Sequence, residues 1–318
     1  MNLAEVSKRA RSIIDAVGEV IVGKDEVLEQ ILMGILSNGH ILLQDNPGLA
    51  KTLIAQCLSQ VLDIDFSRIQ FTPDLLPGDI TGGYVYNQRD QEFEFRKGPL
   101  FANLVLADEI NRATPKTQSA LLEAMQEHQV TVEGVRYVLE APFAVIATQN
   151  PIEFEGTYPL PEAQLDRFIM RTSVGYPNED EEVEILDRRK KRMRDEVELA
   201  PVVKRAELLE MQNALEEVHV TDELGRYIVR LARATRSDSK VQVGSSPRGV
   251  LALLKLSRAR AVIDGRDFVT PEDVKAVATI ALSHRLFLKP EFWVRGISDE
   301  SVVVDVMNEV PIPATESR

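Results

Sequence analysis

Short apolar runs alternate with helical patterns along the first half of the chain. Five runs have the length of a buried strand, and the last of them is the weakest: 41–44, 66–71, 104–107, 143–148 and 169–174. Between the first two, residues 51–62 place apolar side chains at helical spacing, as at Ile54 and Leu58. Apolar strands separated by helices indicate a parallel sheet covered on both faces. We therefore predict an α/β core.

Two segments interrupt this alternation. In residues 82–96, four aromatic residues stand at alternate positions around a polar centre, which predicts a β-hairpin: Tyr84, Tyr86, Phe93 and Phe95. Residues 129–139 contain two alternating runs around Glu133 and Gly134 and predict a second hairpin. Hairpins inserted into an α/β core often contact a partner, but packing on neighbouring elements would explain them equally well.

The second half of the chain is almost wholly helical in pattern. Residues 178–194 begin acidic and end basic, which complements a helix dipole and favours a solvated helix over a nucleic-acid patch. Later helices have recognisable starts at Thr221, Ser246 and Thr270. We predict an α/β core over residues 1–180, followed by a small all-α domain over 181–318.

Composition narrows the functional classes. The chain has 318 residues, of which 44% are hydrophobic and 27% charged, as in a folded protein of about two domains. Its net charge of −13 argues against a nucleic-acid coat. The single cysteine, Cys57, cannot form an internal disulfide, which fits a reducing compartment. Neither a signal peptide nor an apolar segment long enough to span a bilayer is visible, so we expect a cytoplasmic protein.

Residues 45–52 have the layout of a P-loop, with a strand before them and a helix after them. Backbone N–H groups of such a loop cradle phosphates. Lys51 would reach the β- and γ-phosphates of a nucleotide, and Thr52 would hold Mg²⁺. Asp45 and Ala50 stand where the general pattern has glycines. Ala can adopt helical dihedrals, whereas a carboxylate at position 45 is tolerable only if it points away from the phosphates.

The apolar run at 104–107 is followed by two acids, Asp108 and Glu109, in the manner of a Walker B strand. Asp108 would hold Mg²⁺ through water, and Glu109 would polarise the attacking water. Asn150 follows the next strand and could orient that water, although a turn residue before proline is the alternative.

Two arginines complete the candidate site. Arg167 follows a short helical stretch and could project from the subunit edge as an arginine finger for a neighbour's ATP. Arg248 lies just inside a helix start, where its guanidinium could face the γ-phosphate. A surface salt bridge is the alternative for each.

These motifs together resemble those of the MoxR-type AAA+ ATPases. The resemblance is carried by Leu43 to Thr52, by the long run from Leu106 to Glu127, by 147–151, by Pro161 to Phe168, and by Ser246 to Gly249. It extends from Val22 and Gly23 to the end of the chain. P-loops of this family often carry Asp at the first glycine position, so Asp45 matches the family.

The resemblance implies a P-loop AAA+ core with two inserted hairpins, a helical lid, ATP and Mg²⁺ as ligands, and a ring that is usually hexameric. The nucleotide contacts that it implies are Val22, Gly23, Asn46, Pro47, Gly48, Leu49, Ala50, Lys51 and Thr52. It also implies chaperone activity, often with a separate partner that contains a von Willebrand factor A domain.

Three other functions stay open at this point. A chelatase-like motor that inserts a metal would share the fold and the hairpins. A nucleotide-gated scaffold would bind ATP with little turnover, but it would not need Glu109 and Arg167. A nucleic-acid motor is disfavoured, because the first predicted hairpin mixes Arg89 and Arg96 with three acidic residues.

Overall fold

A computed structural model describes residues 1–150 and 157–313. The strands, in chain order, are β1 Ile41–Gln44, β2 Phe66–Gln70, β3 Gly82–Asn87, β4 Glu92–Lys97, β5 Leu104–Asp108, β6 Gln129–Val132, β7 Val135–Val138, β8 Ala144–Gln149, β9 Met170–Thr172, β10 Val241–Val243 and β11 Phe287–Leu288. The helices are α1 Leu3–Gly18, α2 Asp25–Leu36, α3 Lys51–Val61, α4 Pro77–Thr81, α5 Pro115–Glu127, α6 Glu162–Leu165, α7 Glu179–Arg192, α8 Arg205–Ala214, α9 Asp222–Ser237, α10 Pro247–Ile263, α11 Pro271–Leu282, α12 Pro290–Trp293 and α13 Asp299–Glu309.

The five predicted core strands form one parallel sheet in the order β2-β5-β8-β1-β9. Their side chains alternate between two apolar layers, as the period of a strand requires. Leu43 and Leu106 face the layer that contains α2 and α3, whereas Leu42 and Val105 face the layer that contains α5. The predicted parallel sheet with helices on both faces is confirmed.

Both inserted hairpins are present, and they touch one another. β3 pairs with β4, and β6 pairs with β7, each antiparallel. The ring of Phe95 stacks on that of Tyr137 at 3.9 Å, and the hydroxyls of Tyr84 and Tyr137 lie 2.7 Å apart. The hairpins therefore form one aromatic unit at the side of the core.

The C-terminal part is helical, and its predicted helix starts are confirmed. Thr221, Ser246 and Thr270 each accept a hydrogen bond from a first-turn backbone amide of the helix that follows. The all-α prediction was wrong in one detail, because β10 and β11 form a short antiparallel pair in which Val241 is buried. None of the helices in the described ranges is long and apolar enough to cross a bilayer.

The N-terminal helix α1 packs between the two parts of the chain. Val6 and Ile13 of α1 belong to the same apolar cluster as Leu253 of α10 and Leu58 of α3. Continuous apolar packing therefore crosses the boundary that the sequence predicts near residue 180, and this packing sets how the helical part sits over the sheet.

Candidate nucleotide-binding site

The carboxyl ends of three neighbouring strands bring the predicted site residues to one edge of the sheet. The P-loop follows β1, the acidic pair stands at the end of β5, and Asn150 follows β8, which lies between those two strands. Asn150 is buried there, and the backbone amide of Asp45 donates to the carbonyl of Gln149. Ligands of open α/β sheets bind at this kind of edge.

The P-loop backbone has the shape of a phosphate cradle. Gly48 has a φ of +83°, and no heavy atom lies within 4 Å of the position that a Cβ would take there. Leu49 is buried in the apolar cluster that contains α2 and α3, and it anchors the loop there. The loop therefore leaves open space above its backbone at Gly48, and α3 begins directly after it.

Ala50 does not have the helical dihedrals that its sequence suggests. Its φ of +54° and ψ of +16° lie in the left-handed region, where glycine is favoured. An alanine in this conformation costs about 1–2 kcal/mol relative to a right-handed one. The loop holds Ala50 in a strained position directly before Lys51, which is common at ligand-binding sites.

Lys51 lies among the acids of the site. Its ammonium donates to the carbonyls of Asp45 and Asn46 at 3.1 and 3.2 Å. Burial lowers the pKa of Lys51, and the charges of Asp45, Asp108 and Glu109 oppose that shift. An anionic phosphate at the loop would supply a further charge that favours the ammonium form.

Asp45 points away from the space above the loop, as the sequence required. Its buried carboxylate accepts hydrogen bonds from the backbone amides of Val174, at 2.6 Å, and Gly175, at 3.1 Å. Asp45 therefore ties the P-loop to the segment that leaves the edge strand β9. A glycine at this position could not make these two contacts.

We expect Asp45→Ala to lower the free energy of unfolding by about 1–3 kcal/mol, because two backbone amides lose a charged acceptor. Urea denaturation without nucleotide measures this change. Glu92→Ala, which removes an exposed carboxylate from a hairpin, is the matched control and should change stability little. Equal denaturation midpoints for Asp45→Ala and the wild type would show that the tie contributes nothing to folding.

The two acids at the end of β5 are held by a polar network. Asp108 accepts a hydrogen bond from the hydroxyl of Thr148 at 2.7 Å and forms an ion pair with Arg68 at 2.6 Å. Thr148 also accepts the backbone amide of Glu109, whose φ of +57° lies in the left-handed region. This backbone geometry turns the Glu109 side chain away from the strand direction.

The Glu109 carboxylate has two partners of its own. It accepts a hydrogen bond from the side-chain amide of Gln70 at 2.8 Å and forms an ion pair with Arg112 at 3.1 Å. Gln70 stands on β2, next to β5 in the sheet. In this structure both partners bind the same carboxylate oxygen, Oε2 of Glu109.

The oxygen donors at this edge fit a magnesium ion that keeps most of its ligands from phosphate and water. Thr52 offers a hydroxyl in the first turn of α3, and Asp108 offers a carboxylate. Mg²⁺ prefers such donors. Over residues 1–150 and 157–313, no group of three or more His, Cys, Asp or Glu could form a metal cage. The ion would therefore depend on the nucleotide for further ligands.

Arg167 lies at the amino ends of the parallel strands, whereas the P-loop lies at their carboxyl ends. It precedes β9, and the register places Met170 beside Ile41, the first residue of β1, whereas Lys51 follows the end of β1. The four residues of β1 alone separate the two levels by about 13 Å. Arg167 and Lys51 therefore lie at opposite ends of the sheet strands within one subunit.

In this structure the Arg167 side chain is bound to its own subunit. It is half-buried, and its Nη1 donates to the carbonyl of Leu122 at 2.7 Å. Burial first, and then the nearby charge of Arg248, lowers the pKa of Arg167.

Arg248 is exposed in the first turn of α10, which lies against the segment that carries Arg167. Asp166 holds this arrangement together, because it accepts hydrogen bonds from the hydroxyl of Ser246, at 2.8 Å, and from Arg285, at 3.0 Å. Arg285 is almost fully buried, and its burial lowers its pKa to about 10. The start of α10 is thus fixed to the segment that carries Arg167.

Val22 and Gly23 lie in the loop between α1 and α2. Val22 is buried, and a Cβ on Gly23 would collide with Glu181 of α7. Lys24 donates to the carbonyl of Tyr176, whose hydroxyl accepts a hydrogen bond from Asn46 at 3.3 Å. Through Tyr176 this loop is connected to the P-loop.

Sequence reasoning missed the residues that hold the acids. Arg68 and Gln70 alternate on β2 among residues of a strand that was expected to be buried. Polar residues at every second position of such a strand could have indicated that one face of the strand contacts polar side chains. Thr148 and Tyr176 carried no such signal, since their partners are distant in the chain.

Comparisons with known proteins agree with this geometry. Residues 40–170 match the sequence profile of the ATPase family associated with various cellular activities (AAA), and residues 233–306 match the AAA lid domain. Protein YeaC of Bacillus subtilis is 46% identical over 304 residues, which cover 96% of this chain and 95% of that protein. Chaperone MoxR1 of Mycobacterium tuberculosis is 43% identical over 98% of this chain and 84% of its own length. The crystal structure of an inferred ATPase from Cytophaga hutchinsonii superimposes with a TM-score of 0.92 at 42% identity, covering 98% of this chain and 97% of the other.

Proposed function

This chain belongs to the MoxR-type family of AAA+ ATPases, and from that premise we propose that it hydrolyses ATP with Mg²⁺ at sites shared by neighbouring subunits of a ring. One observation carries the proposal. Lys51 and the acids Asp108 and Glu109 stand at the carboxyl ends of β1 and β5, whereas Arg167 and the start of α10 that carries Arg248 lie at the amino end of β9. A complete site then needs two copies of the chain.

Each residue has a defined task in this reaction. Lys51 and the P-loop amides would bind the phosphates, and Thr52 and Asp108 would hold Mg²⁺, which would supply positive charge against the phosphates. Glu109 draws a proton from the attacking water, and Asn150 orients that water. The water oxygen forms a bond to the γ-phosphorus as the bond to the ADP oxygen breaks. ADP and phosphate are the products.

The neighbouring subunit supplies Arg167 and Arg248. Their guanidinium groups would stabilise negative charge that develops on the γ-phosphate. A contact in which one side of a protomer meets the opposite side of the next is head-to-tail, and such contacts form a ring when the rotation between copies closes. A hexamer is the ring size that we propose.

We propose further that this ATPase remodels a partner protein, as a chaperone. The support is the 43% identity to a relative named as a chaperone, over nearly the whole chain. The joined hairpins expose Phe93 and Val138, which offer an apolar contact surface. A separate protein with a von Willebrand factor A domain is a candidate partner. Cytoplasmic location and a core–lid boundary near residue 180 stay predictions.

The alternatives have weaker support. A chelatase-like motor rests on the shared fold and hairpins and on a more distant likeness, since magnesium-chelatase subunit ChlI of Nicotiana tabacum is 28% identical over 65% of this chain. A scaffold with little turnover does not account for the polar network that holds Glu109. A nucleic-acid motor is disfavoured by Asp90, Glu92 and Glu94 on the first hairpin.

We expect the rate of ATP hydrolysis per subunit to rise with protein concentration and then to level off, because a lone subunit lacks the two arginines. Steady-state phosphate release with Mg²⁺, measured across a dilution series, tests this. Sedimentation velocity on the same samples gives the assembled fraction, which should follow the rate. A specific activity that is independent of concentration while the assembled fraction changes would contradict a shared site.

A further inference from the structure

Helix α7 is unusual among the longer helices of the described ranges because none of its 14 residues is buried. It is tied to the body by polar contacts on one side: Arg188 donates to the carbonyls of Gly18 and Glu19, and Glu181 lies against Gly23. An exposed helix of mixed polarity is expected to turn its apolar side chains inward. Helix α7 instead leaves Val183 and Leu186 exposed, by 52% and 59%.

The outward side of the first two turns of α7 combines acidic and apolar residues, before the basic last turn. Glu179, Glu182, Val183 and Leu186 follow the spacing i, i+3, i+4 and i+7, so they share one face of the helix. Glu181 and Arg188 point to the body and thereby fix which face is outward. We call these four residues the α7 stripe.

Helix α9 of the lid carries a stripe of opposite charge at the same spacing. Arg226, Val229, Arg230 and Arg233 are all exposed, while the other face of α9 is buried through Tyr227 and Leu231. We call these four the α9 stripe. Among the described residues, none of the three arginines forms an ion pair. This is notable in a chain whose net charge is −13.

The α7 stripe belongs to the side of the subunit that carries the P-loop, and the α9 stripe belongs to the side that carries Arg248. The proposed shared site brings these two sides together. Helix α7 follows Tyr176, which contacts Asn46 of the P-loop. The C-terminal end of α9 is bonded to the segment before α10, since Thr235 accepts the backbone amide of Ser245 and Arg236 donates to the Ser245 carbonyl. The α9 stripe therefore runs towards the end of the lid that carries Arg248.

We propose that the α9 stripe of one copy docks on the α7 stripe of the next copy in the ring. This inference rests on the head-to-tail contact of the proposed function and assigns residues to it. Arginines would meet the acids, and Val229 would meet Val183 and Leu186. Charge complementarity selects this occupant, because the α7 stripe pairs acids with exposed apolar residues at the spacing of the α9 stripe. The contact also orients the neighbour so that its arginines approach the P-loop edge.

Charge reversal tests the docking. Assembly is measured by sedimentation velocity with Mg²⁺ and a non-hydrolysable ATP analogue. We expect Arg226→Glu with Arg230→Glu to weaken assembly about tenfold or more, because like charges then face each other. Glu179→Lys with Glu182→Lys should do the same. The neutral pair Glu179→Gln and Glu182→Gln should give a smaller effect, without a lysine at a helix N-terminus.

The decisive variant carries both reversals in one chain. It restores opposite charges at every contact of the ring, so we expect its assembly to return towards that of the wild type. Lys8→Glu with Arg11→Glu, on the exposed side of α1, is the control for the change of charge alone. Thermal melts establish that each variant is folded.

The outcomes separate this inference from the proposed function. If the α9 variant assembles like the control, or the combined variant assembles no better than either reversal alone, the docking is overturned while the ring stands. Loss of polynucleotide binding with unchanged assembly would assign the α9 stripe to nucleic acid and would also overturn it. A wild type that never assembles would remove the ring and the docking together.

Discussion

Glu109→Gln is expected to bind ATP normally and to lose turnover by about 10²–10⁴-fold, the contribution of a positioned general base. A glutamine side chain has nearly the same shape, and its oxygen can still accept the hydrogen bond from Gln70. It cannot accept a proton from water. The substitution therefore removes the chemistry while it keeps the backbone and the loop in place.

Two measurements on the same protein separate these effects. Equilibrium binding of a fluorescent ATP analogue should give the wild-type affinity, whereas steady-state phosphate release should fall towards the background. Glu291→Gln removes an exposed carboxylate from α12 and should leave both values unchanged. Turnover of Glu109→Gln at the wild-type rate would show that another residue acts on the water.

Arg167→Ala is expected to lower turnover by about 10³–10⁵-fold, the range found for arginine fingers. We expect the effect in another subunit, because Arg167 lies beyond the end of β1 that is opposite to Lys51. ATP binding by the variant should persist, since its own P-loop is intact. Removal of the bond to the Leu122 carbonyl makes a thermal melt necessary.

Mixing experiments show on which side of a subunit contact Arg167 acts. Lys51→Ala subunits lack the phosphate contact but retain Arg167, and Arg167→Ala subunits have the reverse defect. Mixed rings should therefore regain turnover at those contacts where an intact Lys51 meets an intact Arg167. Arg11→Ala serves as the control for loss of an exposed arginine elsewhere. If the mixture is no more active than either variant alone, Arg167 does not act across the contact.

The core of the fold could be predicted because its signals are local. The apolar runs at 41–44 and 104–107 became β1 and β5 with a shift of at most one residue, since burial on both faces requires continuous apolar sequence. The hairpins followed from alternation, and the helix starts at Thr221, Ser246 and Thr270 followed from side chains that cap their own backbone. Pairing of β10 with β11 was missed, because three-residue and two-residue strands carry almost no periodic signal.

The candidate site divides in the same way. Lys51, Thr52, Asp108 and Glu109 could be found from sequence, because a P-loop and a strand that ends in acids are contiguous chemical patterns. The dihedrals of Ala50 could not, since alanine seldom adopts a positive φ and only the closed loop imposes it.

By itself, the sequence determined which side chains stand at the ends of strands and which helices begin with a cap, because these depend on residues a few positions apart. Tertiary structure alone decided that Asp45 binds Val174 and Gly175, that Arg68 holds Asp108, and that Arg248 lies beside Arg167. Those contacts depend on the strand order β2-β5-β8-β1-β9 and on long-range packing of the lid. Local periodicity shows whether an element is buried but does not show which elements it packs against. The distance between the arginines and Lys51, on which the proposal of a shared site rests, therefore became visible only in the folded chain.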